Sequence, residues 1–417
     1  MEEKMGGQTV LLVGASINQI QRFIEQMKKR NLCIIILETS AFIDQHLRTL
    51  AAIDQFIEVS DKDISTIQAW LETKPLLPKI DYILTFSEFT VEATAAIAEY
   101  LSIPWNSPHA IHTIRDKLLL RNKLRDAGIV QPNIAACSCI ADVKNFITNA
   151  PNNGPWIIKP RIGTGSEGVS IIEKPEDIPK AIERLTQKNT QSFLIEEFIH
   201  GKEYSVEGVF IAKEAQFFAV TEKMLMDNGL FLECGHLMPA PIEKELGLKI
   251  YAAVRQALKA VGLEYGLFHV ELWVEDEQIT LGEIHARPGG MYINWLSELV
   301  TNIETYGILI DDQSNVLSLA PSLWPSNSYH FFKAAGITYF QVEPGTVSHV
   351  GAPALIEQNP NCIKLHYPLK LGDRIPPTLS WKDLEALGYV IVTGKDTEGV
   401  RILSQKIQQE LRIVTKA

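Results

Sequence analysis

The chain has 417 residues, of which 46% are hydrophobic and 21% charged, and 39 Lys and Arg against 50 Asp and Glu leave a net charge of −11. This composition excludes a disordered chain, and an acidic balance without a basic block excludes nucleic acid or an anionic membrane surface as the main partner. Five cysteines are too few for a disulfide framework, and Cys137-x-Cys139 has no second pair at zinc spacing, so the thiols read as inert groups in a reducing compartment.

The N-terminus is acidic and its apolar stretch covers only Val10–Val13, which predicts no signal peptide. No run approaches the ~18 apolar residues of a membrane span. The expected location is cytoplasmic. Thr9–Val13, Cys33–Leu37 and Tyr82–Phe86 read as buried strands, with helices over Ile17–Lys29 and Val91–Tyr100. Continuous apolar strands alternating with helices predict a parallel sheet covered on both faces, here residues 1–113. Gly14-Ala15-Ser16 lacks the spacing of a dinucleotide loop and reads as a tight strand-to-helix turn. Ser87 and Glu88 follow the third strand, at the carboxyl edge where such sheets place ligands.

Residues 114–200 form the next unit: a helix over Arg115–Asp126, a strand over Trp156–Lys159, and a glycine-rich loop, Arg161-Ile-Gly-Thr-Gly-Ser-Glu-Gly168. A strand over Val169–Ile172 returns from the loop, then a helix over Pro175–Gln187 and a strand over Phe193–Glu197. In residues 201–325 strands dominate, over Tyr204–Phe210, Phe217–Thr221, Phe268–Val274 and Gln278–Ile284, with helices over Lys249–Val261 and Tyr292–Val300. Residues 326–417 carry short glycine-punctuated strands and a closing helix over Glu398–Arg412.

Lys159 ahead of the 161–168 loop offers a fixed cation followed by backbone N–H groups that can fold over an anion, with Gly163, Gly165 and Gly168 permitting close approach. By itself such a hairpin is either a phosphate loop or a flexible turn. Lys117 is a second upstream cation. In Glu196-Glu197-Phe198-Ile199-His200-Gly201-Lys202-Glu203, exposed backbone can pair with an adenine edge and Glu203 can bridge ribose hydroxyls; an acidic surface turn is the other reading. Glu271 and Glu283 face each other across one hairpin, Glu271 sharing a face with His269, and Glu283 with His285 and Arg287. Two facing carboxylates call for a cation, and Mg²⁺ takes one or two carboxylates plus nucleotide phosphates. Arg287 is a donor fork for phosphate or an oxyanion.

In this order the motifs resemble the ATP-grasp superfamily of carboxylate–amine ligases, over the whole chain. The resemblance implies an α/β fold with an N-terminal Rossmann-like parallel-sheet domain, a mobile lid subdomain, an antiparallel-sheet core and a small C-terminal subdomain. It implies ATP with Mg²⁺, or Mn²⁺ in its place, as cofactors. Lys117 and Lys159 then hold the phosphates and the loop from Gly163 through Gly165 and Ser166 to Gly168 covers them. Glu196 and the backbone of Glu197 and Ile199 contact adenine, and Glu203 the ribose. Glu271 and Glu283 ligate magnesium, and Arg287, with Lys159 and Glu283, serves the chemical step. His285 stands where the family has Asn, which leaves metal, substrate, base and packing roles open, because imidazole suits Mg²⁺ poorly.

The stretch Phe231-Leu-Glu-Cys-Gly-His236-Leu-Met-Pro-Ala-Pro241 is similar to that of bacterial L-amino-acid ligases of the bacilysin type. By that similarity Glu233 holds an α-ammonium, His236 faces the acyl substrate, and Met291, after Gly290, limits the pocket. The expected activity is ADP-forming joining of two amino acids through an acyl phosphate, with a homodimer through the N-terminal domain as the family habit. The alternatives are a purine-biosynthesis-type ligase using formate or bicarbonate, or a non-catalytic ATP-binding module.

Overall fold

The computed structural model describes residues 7–165, 167–186, 192–226, 232–314, 324, 329–351, 356, 358–377 and 381–416. Strands β1 (Thr9–Val13), β2 (Cys33–Thr39), β3 (Gln55–Val59) and β4 (Tyr82–Leu84) form a parallel sheet in the order β3-β2-β1-β4. Strand alternation divides the apolar residues between two cores: Val10, Leu12, Ile34 and Ile36 enter one, and Leu11, Val13, Ile35 and Leu37 the other. The expected parallel sheet is present. β3, on its edge, was not legible, because Gln-Phe-Ile-Glu-Val is half exposed and shows no apolar run.

Gly14 turns the chain out of β1 at φ +75°, and a side chain there would meet Thr90 at 2.7 Å. The fully buried Glu38, at the end of β2, accepts hydrogen bonds from the Ala15 N–H at 3.0 Å and the Thr39 N–H at 2.8 Å, and pairs with Lys62 at 2.6 Å. Its carboxylate fills the turn where a dinucleotide fold would seat phosphate, so the turn is structural, as expected.

The helix expected over Arg115–Asp126 is two helices, Pro108–Arg115 and Lys117–Asp126. Asp116 leaves helical geometry at ψ 105° and caps the second by accepting from the N–H groups of Leu118 and Leu119 at 3.0 and 3.2 Å. The lid sheet comprises β5 (Ile134–Cys137), β6 (Trp156–Pro160), β7 (Ser170–Ile172) and β8 (Phe193–Glu197), in the order β5-β8-β6-β7. Trp156 pairs with Ile172, so the glycine-rich loop is the tip of a hairpin. The expected helix over Pro175–Gln187 is a short turn, Pro175–Asp177, followed by a helix over Ile178–Thr186; Gln187 lies outside the described residues.

The core strands are β9 (Lys202–Ile211), β10 (Glu214–Leu225), β11 (Glu233–Met238), β12 (Leu267–Glu275), β13 (Gln278–His285) and β14 (Ala334–Tyr339). The C-terminal region adds β15 (Gly345–His349), β16 (Cys362–His366), β17 (Arg374–Ile375), β18 (Tyr389–Gly394) and β19 (Val414–Lys416). The core sheet runs β13-β12-β9-β10-β11-β14-β18-β16 with antiparallel neighbours, so the C-terminal region extends it, while β17-β15-β19 form a small separate sheet.

The helix over Lys244–Val261 covers one face, where Phe217 stacks on Tyr251 at 4.5 Å and packs with Val206, Leu272, Ile250 and Val254. Each buried side chain of this size contributes roughly 1.5–3 kcal/mol. The N-terminal domain seats on the other face. Phe23 packs on Tyr306, and Gln26 donates to Glu298 at 2.6 Å. Arg30 forms a two-pronged pair with Asp311 at 2.7 and 2.6 Å. This docking fixes the carboxyl edge of the parallel sheet, with Glu88, against the β12–β13 hairpin.

Candidate active site

β12 and β13 pair with His269 opposite His285, and the register shifts between Val270 and Leu272. Val270 and Leu272 are fully buried under the helix. Opposite Glu271 stand two residues of β13, Gly282 and Glu283, so the bulge lies on β13 and brings Glu283 onto the face where alternation already places Glu271 with His269, and where His285 also points. His269 Nδ1 lies 2.9 Å from Glu207 and its Nε2 3.3 Å from Glu271. Burial opposes the charged form of His269, but the Glu207 carboxylate overrides it and raises the imidazole to about 9.

His285 donates from Nδ1 to Glu88 at 2.7 Å, and its Nε2 lies 3.6 Å from Glu283 and 3.9 Å from Glu271. The expected facing carboxylates therefore stand on either side of one imidazole edge. Among the described residues no three His, Cys, Asp or Glu side chains gather closely enough to hold a metal by themselves. Two hard carboxylates are a donor set that fits Mg²⁺, which usually completes its shell with phosphate oxygens and water.

Glu88 reaches this hairpin from the N-terminal domain. Ser87 caps its turn by accepting from the Phe89 N–H at 3.2 Å, a structural role. Glu88 is buried and accepts from His285 and from Arg287 Nε, both at 2.7 Å, and from Arg115 at 3.0 Å. Burial pushes its carboxyl up, but the charges of His285 and Arg287, then Arg115, hold it well below the usual range. Its two oxygens thus accept from three protein donors, which places Glu88 as the common partner of His285, Arg287 and Arg115.

Lys117 donates to the Gly163 carbonyl at 2.8 Å and lies 3.3 Å from Glu283. The loop root is tied to the same helix start, Arg161 Nε donating to Asp116 at 2.7 Å and the Lys117 N–H to the Arg161 carbonyl at 3.2 Å. Gly165 and Gly168 have φ of +68° and +78°, which favours glycine. Ser166 lies outside the described residues.

Lys159 is buried and paired with Glu196. Burial pulls its ammonium below the ordinary range, against the charge of Glu196. Glu196 also accepts from Arg121 Nε at 3.1 Å. Burial works against its charge, but Arg121 and Lys159 hold the carboxyl at about 2. The Glu196 side chain is thus committed to Arg121 and Lys159. Glu197 accepts from the Asn133 N–H at 2.9 Å and from the Asn152 amide at 2.8 Å, and donates its N–H to the Asn133 carbonyl. It borders a cleft lined by Val130, Pro132, Phe198, Ile199, Glu275 and Thr280. Because the Glu196 carboxyl is lowered from 4.5 to about 2, its stabilisation is complete above pH 4.5 and lost as pH falls towards 2. Glu196→Gln is therefore expected to flatten the fall in thermal midpoint across that window.

Glu203, Glu233 and Glu271 converge on Lys223, which the sequence reading missed. The missed signal is Glu222-Lys223 inside an otherwise apolar strand. Burial and the nearby Glu271 and Glu233 raise the Glu203 carboxyl against the pull of Lys223. Burial opposes the charge of Glu233, but Lys223 and His236 lower its carboxyl. His236 is fully buried with Nε2 3.2 Å from Glu233, at an angle outside hydrogen-bond geometry. Arg121 and Arg115 were also missed; Arg121 lies four residues from Lys117, on the same helix face.

After Gly289, where a side chain would meet Glu207 at 3.0 Å, Gly290 opens on free space. Met291 and Tyr292 both adopt left-handed backbone, φ +47° and +65°, a conformation that costs of order 1–3 kcal/mol each. The helix expected from Tyr292 therefore starts at Ile293. The Tyr292 hydroxyl bonds that of Tyr389 at 2.6 Å, and Lys364 sits 5.0 Å from the Tyr292 ring.

Residues 152–294 match the ATP-grasp domain family and residues 338–416 match L-amino acid ligase C-terminal domain 2. The chain thus carries an ATP-grasp domain followed by an L-amino acid ligase C-terminal domain. It is similar to the crystal structure of L-amino acid ligase from Bacillus licheniformis, with a TM-score of 0.79 and 19% identity over 99% of both chains. Carnosine synthase 1 of Homo sapiens is 24% identical over 71% of this chain, which spans 38% of that protein. Alanine–anticapsin ligase of Bacillus subtilis is 23% identical over 56% of this chain and 53% of its own.

Proposed function

We propose that the protein is an ADP-forming ligase that joins the carboxyl group of one amino acid to the amine of another. The observation that carries this reading is a linked set of charges: Lys117 lies 3.3 Å from Glu283, Glu196 and Glu88 fix Lys159 and Arg287, and Lys223 joins Glu271 to Glu233. The similarity to an L-amino acid ligase and to alanine–anticapsin ligase supports it.

A carboxylate is a poor electrophile, so the γ-phosphoryl of ATP passes to a carboxylate oxygen, giving an acyl phosphate and ADP. The amine then attacks the acyl carbon, phosphate leaves with the C–O bonding pair, and the nitrogen loses its proton. Mg²⁺, or Mn²⁺, held by Glu271 and Glu283 would neutralise phosphate charge. Lys117 and Lys159 hold the phosphates, and the Glu203 carboxylate the ribose. Arg287, steadied by Glu88, stabilises the oxyanion. The 161–168 loop excludes water from the acyl phosphate. Glu233 holds the substrate α-ammonium, with His236 behind it and Met291 bounding the pocket.

The test is phosphate release from ATP and Mg²⁺ across all pairs of the twenty L-amino acids, with mass spectrometry of positive mixtures. Release that requires a particular amino acid, with a dipeptide mass, is the expected result. Release with formate or bicarbonate alone would replace this reading with a one-carbon ligase, and tight ATP binding without release under any condition would make the chain a binding module. His285→Asn, which offers a hard amide oxygen, is expected to lower the Mg²⁺ concentration for half-maximal release roughly tenfold. Unchanged activity and Mg²⁺ dependence would remove any special role for His285.

A further inference from the structure

Lys223 projects from β10 almost sealed from solvent, and its ammonium meets Glu203 at 2.6 Å, Glu233 at 2.8 Å and Glu271 at 3.2 Å. In the function proposed above, these acids serve three different ligands: ribose, substrate ammonium and a divalent cation. One protein cation is thus shared by all three subsites. A substrate ammonium on Glu233 would lie within a few ångströms of Lys223 Nζ, and two cations on one partly buried carboxylate repel each other and compete for its oxygens. Glu233 can therefore take an ammonium only as Lys223 gives it up. Phosphate oxygens seated beside Glu271 and Glu283 offer Lys223 a more highly charged acceptor within a short swing of its four-carbon stem.

We propose that Lys223 couples the two binding events as a positioning residue: nucleotide phosphates draw its ammonium off Glu233, which then holds the α-ammonium of the amino acid. The inference rests on the assignment of Glu233 to that ammonium. Coupling of this kind is reciprocal, so amino acid and nucleotide tighten each other's binding by the same factor.

The experiment is calorimetric titration of the full chain with each of the twenty L-amino acids, with and without the non-hydrolysable Mg²⁺–AMP-PNP. The wild-type protein is expected to bind its amino acid at least fivefold more tightly with the nucleotide, the low end of measured site-to-site couplings. Lys223→Met removes the internal competitor, so it is expected to bind the amino acid more tightly than wild type without nucleotide, and to show less than twofold coupling. A gain in affinity is a result that mere structural damage would not give. Equal wild-type affinities with and without Mg²⁺–AMP-PNP would overturn the proposal without recourse to any variant. So would a Lys223→Met protein that binds more weakly and keeps its coupling. If no amino acid binds either protein under either condition, the assignment of Glu233 falls, and the coupling with it.

Discussion

Arg287→Met is expected to lower amino-acid-dependent phosphate release by about 10²–10³-fold while ADP affinity changes by no more than a few-fold, the usual loss on removing one oxyanion donor. Arg287 Nε is fixed on Glu88 at 2.7 Å and one terminal nitrogen donates to the Pro288 carbonyl at 2.9 Å. Among the described residues the other terminal nitrogen has no hydrogen bond, so one arm of the fork remains for charge that develops on the reacting carboxyl group. Lysine should not rescue the loss, since a single ammonium cannot hold Glu88 and reach the oxyanion together. Single-turnover kinetics at saturating ATP would separate chemistry from binding. A loss below tenfold would take Arg287 out of the reacting centre.

Arg121→Met is expected to cost about 3–5 kcal/mol of stability, the range for removing one partner of a buried ion pair. Arg121 is 2% exposed and joins three parts of the fold. It donates to Glu196 of the lid sheet, to Gln131 after its own helix, and to the Leu281 and Gly282 carbonyls beside Glu283. Its loss leaves Glu196 with Lys159 alone and two buried carbonyls without that donor. Denaturant unfolding followed by fluorescence measures the effect, and a change below 1 kcal/mol would show that the network adds little. Because Lys159 is placed by Glu196, the variant should also weaken nucleotide binding, which separates it from a generic core defect.

The parts of the fold legible in the sequence are those set by local periodicity. The apolar runs of β1 and β2 and the Trp156–Ile172 hairpin around its glycines lie where expected. The β12–β13 hairpin was also expected, but His269 meets His285 only through the register shift between Val270 and Leu272, which alternation does not foretell. Sequence reasoning failed where a half-exposed strand has no run, as in β3, or where a side chain breaks a helix, as Asp116 does. It also missed β11, whose Glu-Cys-Gly-His stretch interrupts the apolar pattern that marks a strand.

For the site, the sequence by itself determined which side chains are available and which of them share a hairpin face: Glu271 with His269, Glu283 with His285 and Arg287. Period-two geometry requires that, whatever else the chain does. Only the tertiary structure decided which distant charges meet. Glu88 accepts from His285 across 197 residues and from Arg287 across 199. Glu196 turned inward to Lys159 and Arg121, and Lys223 became the common partner of three acids. The physical reason is that a buried charge is stable only when an opposite charge is carried to it. Which element carries it depends on how sheets and helices dock, and local periodicity contains nothing about docking.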